Sequence, residues 1–310
     1  MKKLSKKQLI ILISALAVVL VSAIVLFLLL KGPKKDEYRI IKVYEVEGDT
    51  VVSRETIGDI NAYGNMVLES GDLIKVNSGK LTLKLDDDKY VYATENTEFE
   101  LVASGTKKDS KTTINLHEGE IANDIQNKLS DDSYYEINTP NSTMSVRGTV
   151  YYVSTYIGAD GKRYTKVSVF DGTVETDLVD GGGIKAGGNR MVSKGNEVII
   201  FADDDDTDYY ADLREIKYED IPADVLDILQ EINESKYRFE IPENITDDKD
   251  QGEKDGPFTV TFKYKDKVFG TQKVEWGHKA TEPSLKPAET GSWKFDFNTL
   301  IKDETVIIWE

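Results

Sequence analysis

Two histidines, His117 and His278, and no cysteine bound the chemistry open to this chain of 310 residues. Without cysteine there can be no disulfide, thiolate zinc site, iron–sulfur cluster or thiol nucleophile. His117-Glu118 lacks the second histidine of a helical zinc-protease motif, and His278 has no partner at ligand spacing. Gly181-Gly182-Gly183 lacks the Lys-Ser/Thr pair of a phosphate loop and the helix that must follow it. Carboxylates are plentiful, yet no spacing singles out the pair that glycoside hydrolysis needs. From Asp204, the residues Asp206, Asp208, Asp212 and Glu215 fall at positions 3, 5, 9 and 12 of a calcium loop. Position 6, where the sharp turn needs glycine, is Tyr209, and a strand precedes the run where a helix is required. A solvated acidic linker is the plainer reading. The expectation is a protein that is not an enzyme, with no catalytic residue, metal site or cofactor.

Charge narrows the partners. The chain has 39 basic and 56 acidic residues, a net of −17. Residues 1–35 hold seven lysines and no acid, so the rest carries 32 basic against 56 acidic groups, or −24. Phosphate-backbone binding rests on clustered Lys and Arg, so no nucleic-acid partner is expected.

Leu9 to Leu30 is an uncharged run of 22 residues, broken only by Ser14 and Ser22. As a helix it is about 33 Å long at ~1.5 Å per residue, enough for a hydrocarbon core of ~30 Å. Val21-Ser22-Ala23 resembles a signal-peptide cleavage site, but seven apolar residues continue beyond it. Lys2, Lys3, Lys6 and Lys7 precede the run, and Lys31, Lys34 and Lys35 follow it. The bias places the N-terminus inside. The expectation is a single-pass membrane protein, with residues 1–8 a cytoplasmic stub, 9–30 the transmembrane helix and the bulk extracellular.

The positions of the remaining residues depend on strands. Short alternating runs between turn residues fill Tyr38 to Ala202, the pattern of an all-β domain. Leu81, Leu83 and Leu85 share one face, Asp86-Asp87-Asp88 turns the chain, and Asp171-Gly172 is a hairpin signal. A sandwich, barrel or β-helix would each accommodate the spacing. Ile221, Val225, Ile228, Leu229 and Ile232 predict a helix over 221–235 that caps this domain. The predicted division is a β-domain over 36–202, an acidic segment and helix over 203–242, a polar linker over 243–256 and a module over 257–310. That module holds Trp276, Trp293 and Trp309 and five of the ten phenylalanines. At about 55 residues it is small enough to need those rings as its core, so the core reading is preferred over a sugar-binding surface.

Asn138-Thr-Pro-Asn-Ser-Thr-Met-Ser-Val-Arg-Gly-Thr149 resembles the central signature of FecR-type domains. Leu68–Asp72, Leu116–Ile121 and Val169–Val174 resemble its flanking turns and strands, in the right order over roughly residues 40–202. The signature residues are Pro140, Val146, Arg147, Gly148 and Thr149, read as structural: Pro140 keeps Thr139 extended, Gly148 permits a bulge, and Arg147 ties loop carbonyls or a carboxylate. Anion binding by Arg147 is the alternative. The family implies signal relay from an outer-membrane receptor to a sigma factor, whereas the cytoplasmic stub here is eight residues. Phe258–Phe262, Val274–Gly277 and Phe295–Trp309 resemble the Listeria–Bacteroides (internalin B-repeat-like) module, which implies a small β-grasp-like unit of a bacterial surface protein. The expected fold is thus mainly β: an N-terminal transmembrane helix, an all-β FecR-like domain with one capping helix, and this module.

The leading expectation is a surface protein, anchored in the membrane by Leu9–Leu30, whose exported domain binds an unidentified protein or a cell-wall component. The alternatives are an extracytoplasmic sensing subunit that works with a separate cytoplasmic partner, and a carbohydrate-binding surface protein. For the acidic run, isothermal titration of residues 36–242 with calcium is expected to release no heat at millimolar ion; a saturating isotherm would instead establish a calcium site.

Overall fold

The alternation of apolar and polar residues becomes strand over much of Ile41–Glu215 in a computed structural model of the chain. It describes residue 7 and residues 20–22, 38–158, 161–180, 183–184, 189–202, 209–235, 238–242, 257–265, 267–274 and 277–310. The chain divides into two compact units, Met1–Glu37 and Tyr38–Glu310. In the first, Lys7 and Leu20–Ser22 are helical; the rest of the apolar run lies outside the described residues. Among the described residues no helix is long and apolar enough to cross a membrane.

In the second unit, fifteen strands of one sheet are described. They are β1 (Ile41–Arg54), β2 (Gly58–Asn61), β3 (Asp72–Leu85), β4 (Lys89–Ala93), β5 (Thr97–Ser104), β6 (Lys111–Ile125), β7 (Tyr134–Thr139) and β8 (Ser142–Val146). There follow β9 (Val150–Ile157), β10 (Arg163–Asp171), β11 (Thr173–Asp180), β12 (Gly183–Ile184), β13 (Arg190–Ser193), β14 (Asn196–Ala202) and β15 (Tyr209–Glu215). Two long strands change partners along their length. The first part of β3 pairs with β5 and its last part with β4. The first part of β6 pairs with β5 and its last part with β4 and β9. β4 and β5 therefore lie end to end between β3 and β6. Beyond β6 the sheet divides, one branch running through β7, β8 and β11 and the other through β9, β10, β14 and β15, and side chains of both branches fill one core. Leu81, Leu83 and Leu85 all point into that core, beside Phe99, Leu101, Ile114 and Val153. Gly48 and Gly79 face each other across β1 and β3, where a Cβ on either would stand 2.3 Å from the opposite strand's carbonyl oxygen. Only glycine fits that crossing.

Two sequence expectations change. Asp171-Gly172 closes no hairpin, because β10 pairs with β9 and β14 while β11 pairs with β8, β12 and β13. The positive φ of Gly172, 84°, serves a corner between strands that do not pair. The β-domain also extends past residue 202. β15 pairs with β14 from Ala202↔Tyr209 to Asn196↔Glu215, so Asp212 and Glu215 lie on an extended strand and not in a calcium-loop turn. Asp203–Asp208 and the linker 243–256 lie outside the described residues.

The helix α1 (Ala223–Ser235) starts behind Pro222, close to the predicted boundary. Val225, Ile228, Leu229 and Ile232 bury its apolar stripe against Ala122, Val150, Tyr152 and Phe170, on the outer face of the sheet. Arg238 then pins the segment after the helix, with its Nη1 2.6 Å from Asp124 and its Nε 2.7 Å from Asp171.

The C-terminal part has its own core. β16 (Phe258–Tyr264) lies between antiparallel β17 (Lys267–Val274) and parallel β20 (Thr305–Trp309), and β18 (His278–Lys279) pairs with β19 (Leu300–Ile301). Trp293 and Trp309 are each 5 % exposed and meet edge to face at 5.2 Å, with Phe262 5.2 Å from Trp293. Burying each such ring is worth roughly 1.5–3 kcal/mol, a large share of what a module this size can gather. Trp276 lies outside the described residues.

A Cβ on Gly172 would sit 2.8 Å from the Gly148 carbonyl oxygen and 2.9 Å from Thr149 Oγ1. Gly172→Ala is therefore expected to lower the unfolding free energy by about 2 kcal/mol, within the ~1–3 kcal/mol usual for a strained backbone site. Urea unfolding followed by far-ultraviolet circular dichroism measures it; an unchanged midpoint would mean the corner relaxes freely.

Candidate functional site

The signature residues build the corner that the two strand systems share. Val146, 4 % exposed, ends β8 in the core. Gly148 has φ 111°, and its carbonyl oxygen and Thr149 pack against Gly172. Thr149 Oγ1 donates to the Thr173 carbonyl at 3.1 Å, and the Thr149 carbonyl accepts from Ile125 N at 3.1 Å. Pro140, exposed, occupies the turn between β7 and β8, with Thr139 extended before it at the end of β7.

Arg147 departs from the expectation that it stitches the fold. Its side chain is 71 % exposed, and its ion partner among the described residues is Asp131, 3.8 Å away and itself 99 % exposed. Such a pair is worth about 0–1 kcal/mol. The stitching falls to Asn141, one residue beyond Pro140 and buried. Its Oδ1 accepts from Thr165 Oγ1 at 2.6 Å, and its Nδ2 donates to the Ile200 carbonyl at 3.3 Å. Thr139 and Thr155 complete this hydroxyl network around Thr165.

Two cavities lie where the C-terminal part meets the sheet, and none of the five signature residues lines either of them. One cavity of about 500 Å³ and a second of about 390 Å³ share Glu120, Ser154, Tyr156, Lys279, Asp296 and Asn298. At their junction the Lys279 ammonium of β18 binds the Glu120 carboxylate of β6 directly. Glu120 is 5 % exposed, its backbone N–H donating to Thr97 Oγ1 at 2.9 Å. Three further bonds fasten the seam: Ala223 N to the Gly277 carbonyl at 3.2 Å, Asn298 Nδ2 to the Ile157 carbonyl at 3.4 Å, and Lys302 Nζ to the Glu219 carbonyl at 3.2 Å.

Electrostatics in the cleft are set by burial. Burial pushes the Lys279 ammonium down to about 8, with Asp296 and Glu95 holding it from falling further. Burial also raises the Asp224 carboxyl above its usual range, against the pull of His278. The phenol of Tyr156 is pushed up to about 12 by burial. His278 and Glu118, which looked isolated in sequence, both line the larger cavity. Glu120 and Lys279 stand 159 positions apart, and no local pattern links them.

Comparison with known proteins places part of this architecture. Residues 72–175 match the family described as FecR protein, about a third of the chain. That stretch carries a FecR domain. The FecR match opens at Asp72, whose buried carboxylate is clamped by the Arg54 fork at 2.7 and 2.6 Å, and closes at Glu175 in β11. It takes in the Asn138–Thr149 signature and the Gly172 corner; β13–β15, α1 and the C-terminal module lie beyond the FecR match. No curated protein matches the chain. Two crystal structures of a "putative anti-sigma factor" from Parabacteroides distasonis ATCC 8503 are similar to it. One is 15 % identical with a TM-score of 0.40, covering 77 % of this chain and 98 % of the other. The second is 12 % identical with a TM-score of 0.39, covering 76 % and 97 %.

The seam yields a direct test. Lys279→Met leaves the Glu120 carboxylate buried beside Thr97 without its cation. Breaking a buried pair costs ~3–5 kcal/mol; with the Lys279 side chain 27 % exposed, about 2 kcal/mol is expected here. All three tryptophans lie in 257–310, so urea unfolding followed by tryptophan fluorescence reads the effect on the module itself. A midpoint equal to that of the unsubstituted chain would remove Lys279 from the seam.

Proposed function

We propose that this chain is an extracytoplasmic sensing subunit of a signalling system. Leu9–Leu30 holds it in the membrane, the unit from Tyr38 onward faces outward, and a separate cytoplasmic partner receives the signal. The FecR match over residues 72–175 carries this reading. It favours sensing over the leading sequence expectation of a wall-binding module, for which the fold supplies no comparable support.

In this reading the chain performs no catalysis. The large sheet is the rigid element, and the C-terminal module is the part whose seating responds to what binds outside. The module's mixed sheet, with β16 between antiparallel and parallel neighbours, fits the surface-repeat resemblance. Its polar seam suits a contact that is made and broken, since interfaces richer in polar than apolar contact are typical of transient association.

Transcript profiling separates the readings. Cells with the full chain, cells lacking it and cells holding only residues 1–37 are compared. A discrete gene set that changes on loss of the chain and is not restored by residues 1–37 is the expected result. Three identical profiles would sink the sensing role.

A further inference from the structure

We propose that the cleft between the FecR-bearing sheet and the C-terminal module binds an amino sugar, a hexosamine unit whose ammonium is free. This deepens the sensing reading, on which it rests for its consequence but not for the binding itself.

The larger cavity, about 500 Å³, falls in the ~300–1,000 Å³ range of ligand pockets and lies at a junction between separately cored parts, where such pockets concentrate. Its walls combine three chemistries. Tyr156, Phe295 and Phe297 present ring surface, which suits the C–H face of a sugar and attracts a cation. Glu95, Glu118 and Glu282 present exposed carboxylates with no ion-pair partner among the described residues, while Asn96 and Asn298 supply amides. Trp293, in the same wall and 5 % exposed, keeps an indole N–H that no described residue accepts. A ligand that satisfies all three needs an apolar face, hydroxyl groups and a positive charge. A hexosamine with a free amine has each.

The molecule already shows that this cleft accepts an ammonium. Lys279, delivered by the module, occupies Glu120 on the cleft floor. With Glu120 held by Lys279 from within, Glu118 and Glu282 are left to an ammonium from outside, and Glu95, which also acts on the Lys279 ammonium, lines the same cavity. Binding there touches both the sheet, through Glu95 and Glu118, and the module, through Glu282 and Phe297, so it bears on how the two are seated.

The test titrates the detergent-purified full chain by isothermal calorimetry with a β-1,4-linked glucosamine tetrasaccharide, its fully N-acetylated counterpart and 1,5-diaminopentane. The glucosamine oligomer is expected to bind at least tenfold tighter than either of the others. The double variant Glu95→Gln/Glu118→Gln, whose exposed side chains leave the fold intact by circular dichroism, should weaken it at least tenfold. Equal binding of the N-acetylated oligomer removes the ammonium from recognition and overturns the proposal. Equal binding of the diamine removes the sugar, and no saturation at millimolar oligomer removes the site. Binding with no change in transcription would support the cleft and defeat the sensing role; transcription that responds while the oligomer fails to bind would defeat the cleft alone.

Discussion

A buried backbone must pair every N–H and C=O group, and a chain this rich in strands meets that demand by strand pairing in one large sheet. The sheet rests on β3 and β6, long strands that hold β4 and β5 end to end between them. Beyond β6 the sheet divides through β7 and β9, and side chains of both branches fill the main core. Everything else hangs on the resulting outer face. The helix covers one part of it through Val150, Tyr152 and Phe170, and the C-terminal module covers another through Glu120.

Net charge acquires a structural meaning from the same frame. The acids that the fold buries are each held by a cation: Asp72 by Arg54, Asp86 by Arg39 and Lys89, Asp124 by Arg238, and Glu197 by Lys166 and Arg214. Glu197, fully buried, has the Ser168 hydroxyl at 3.0 Å as well. Such clusters add little net stability against an apolar core of the same shape, but losing one member is costly. They therefore fix which strands meet more than they strengthen the whole. The unpaired acids of the cleft stand apart from this pattern.

Much of the β-domain was legible because alternation reports the buried face directly. Leu81, Leu83 and Leu85 are one case, and the stripe of α1 from Val225 to Ile232 is another. What misled was local turn chemistry read without its partners. Asp171-Gly172 has the composition of a tight hairpin, yet the pairing of β11 with β8 and β13 turns it into a corner. Arg147 attracted notice as the charged member of the signature, while the buried work belongs to Asn141, whose partners lie up to 59 residues away. The cleft was illegible for the same reason, since Glu118, Glu120, Asp224 and Lys279 converge only through the seating of one core on another. Long-range convergence leaves no period in a sequence.

The seating itself follows from where the aromatic residues went. Trp293, Trp309 and Phe262 satisfy the module's need for a core within the module. Having spent its large apolar side chains there, the module meets the sheet with Lys279, Asn298, Lys302 and backbone groups. A polar seam of this kind cannot exclude water along its length, so it leaves cavities on both sides of its one buried ion pair. The cleft is thus a consequence of a small module that must hold itself together: Trp293, Trp309 and Phe262 are committed inward, and the bonds to the larger domain are left to groups that exchange readily with water or with a ligand of matching charge.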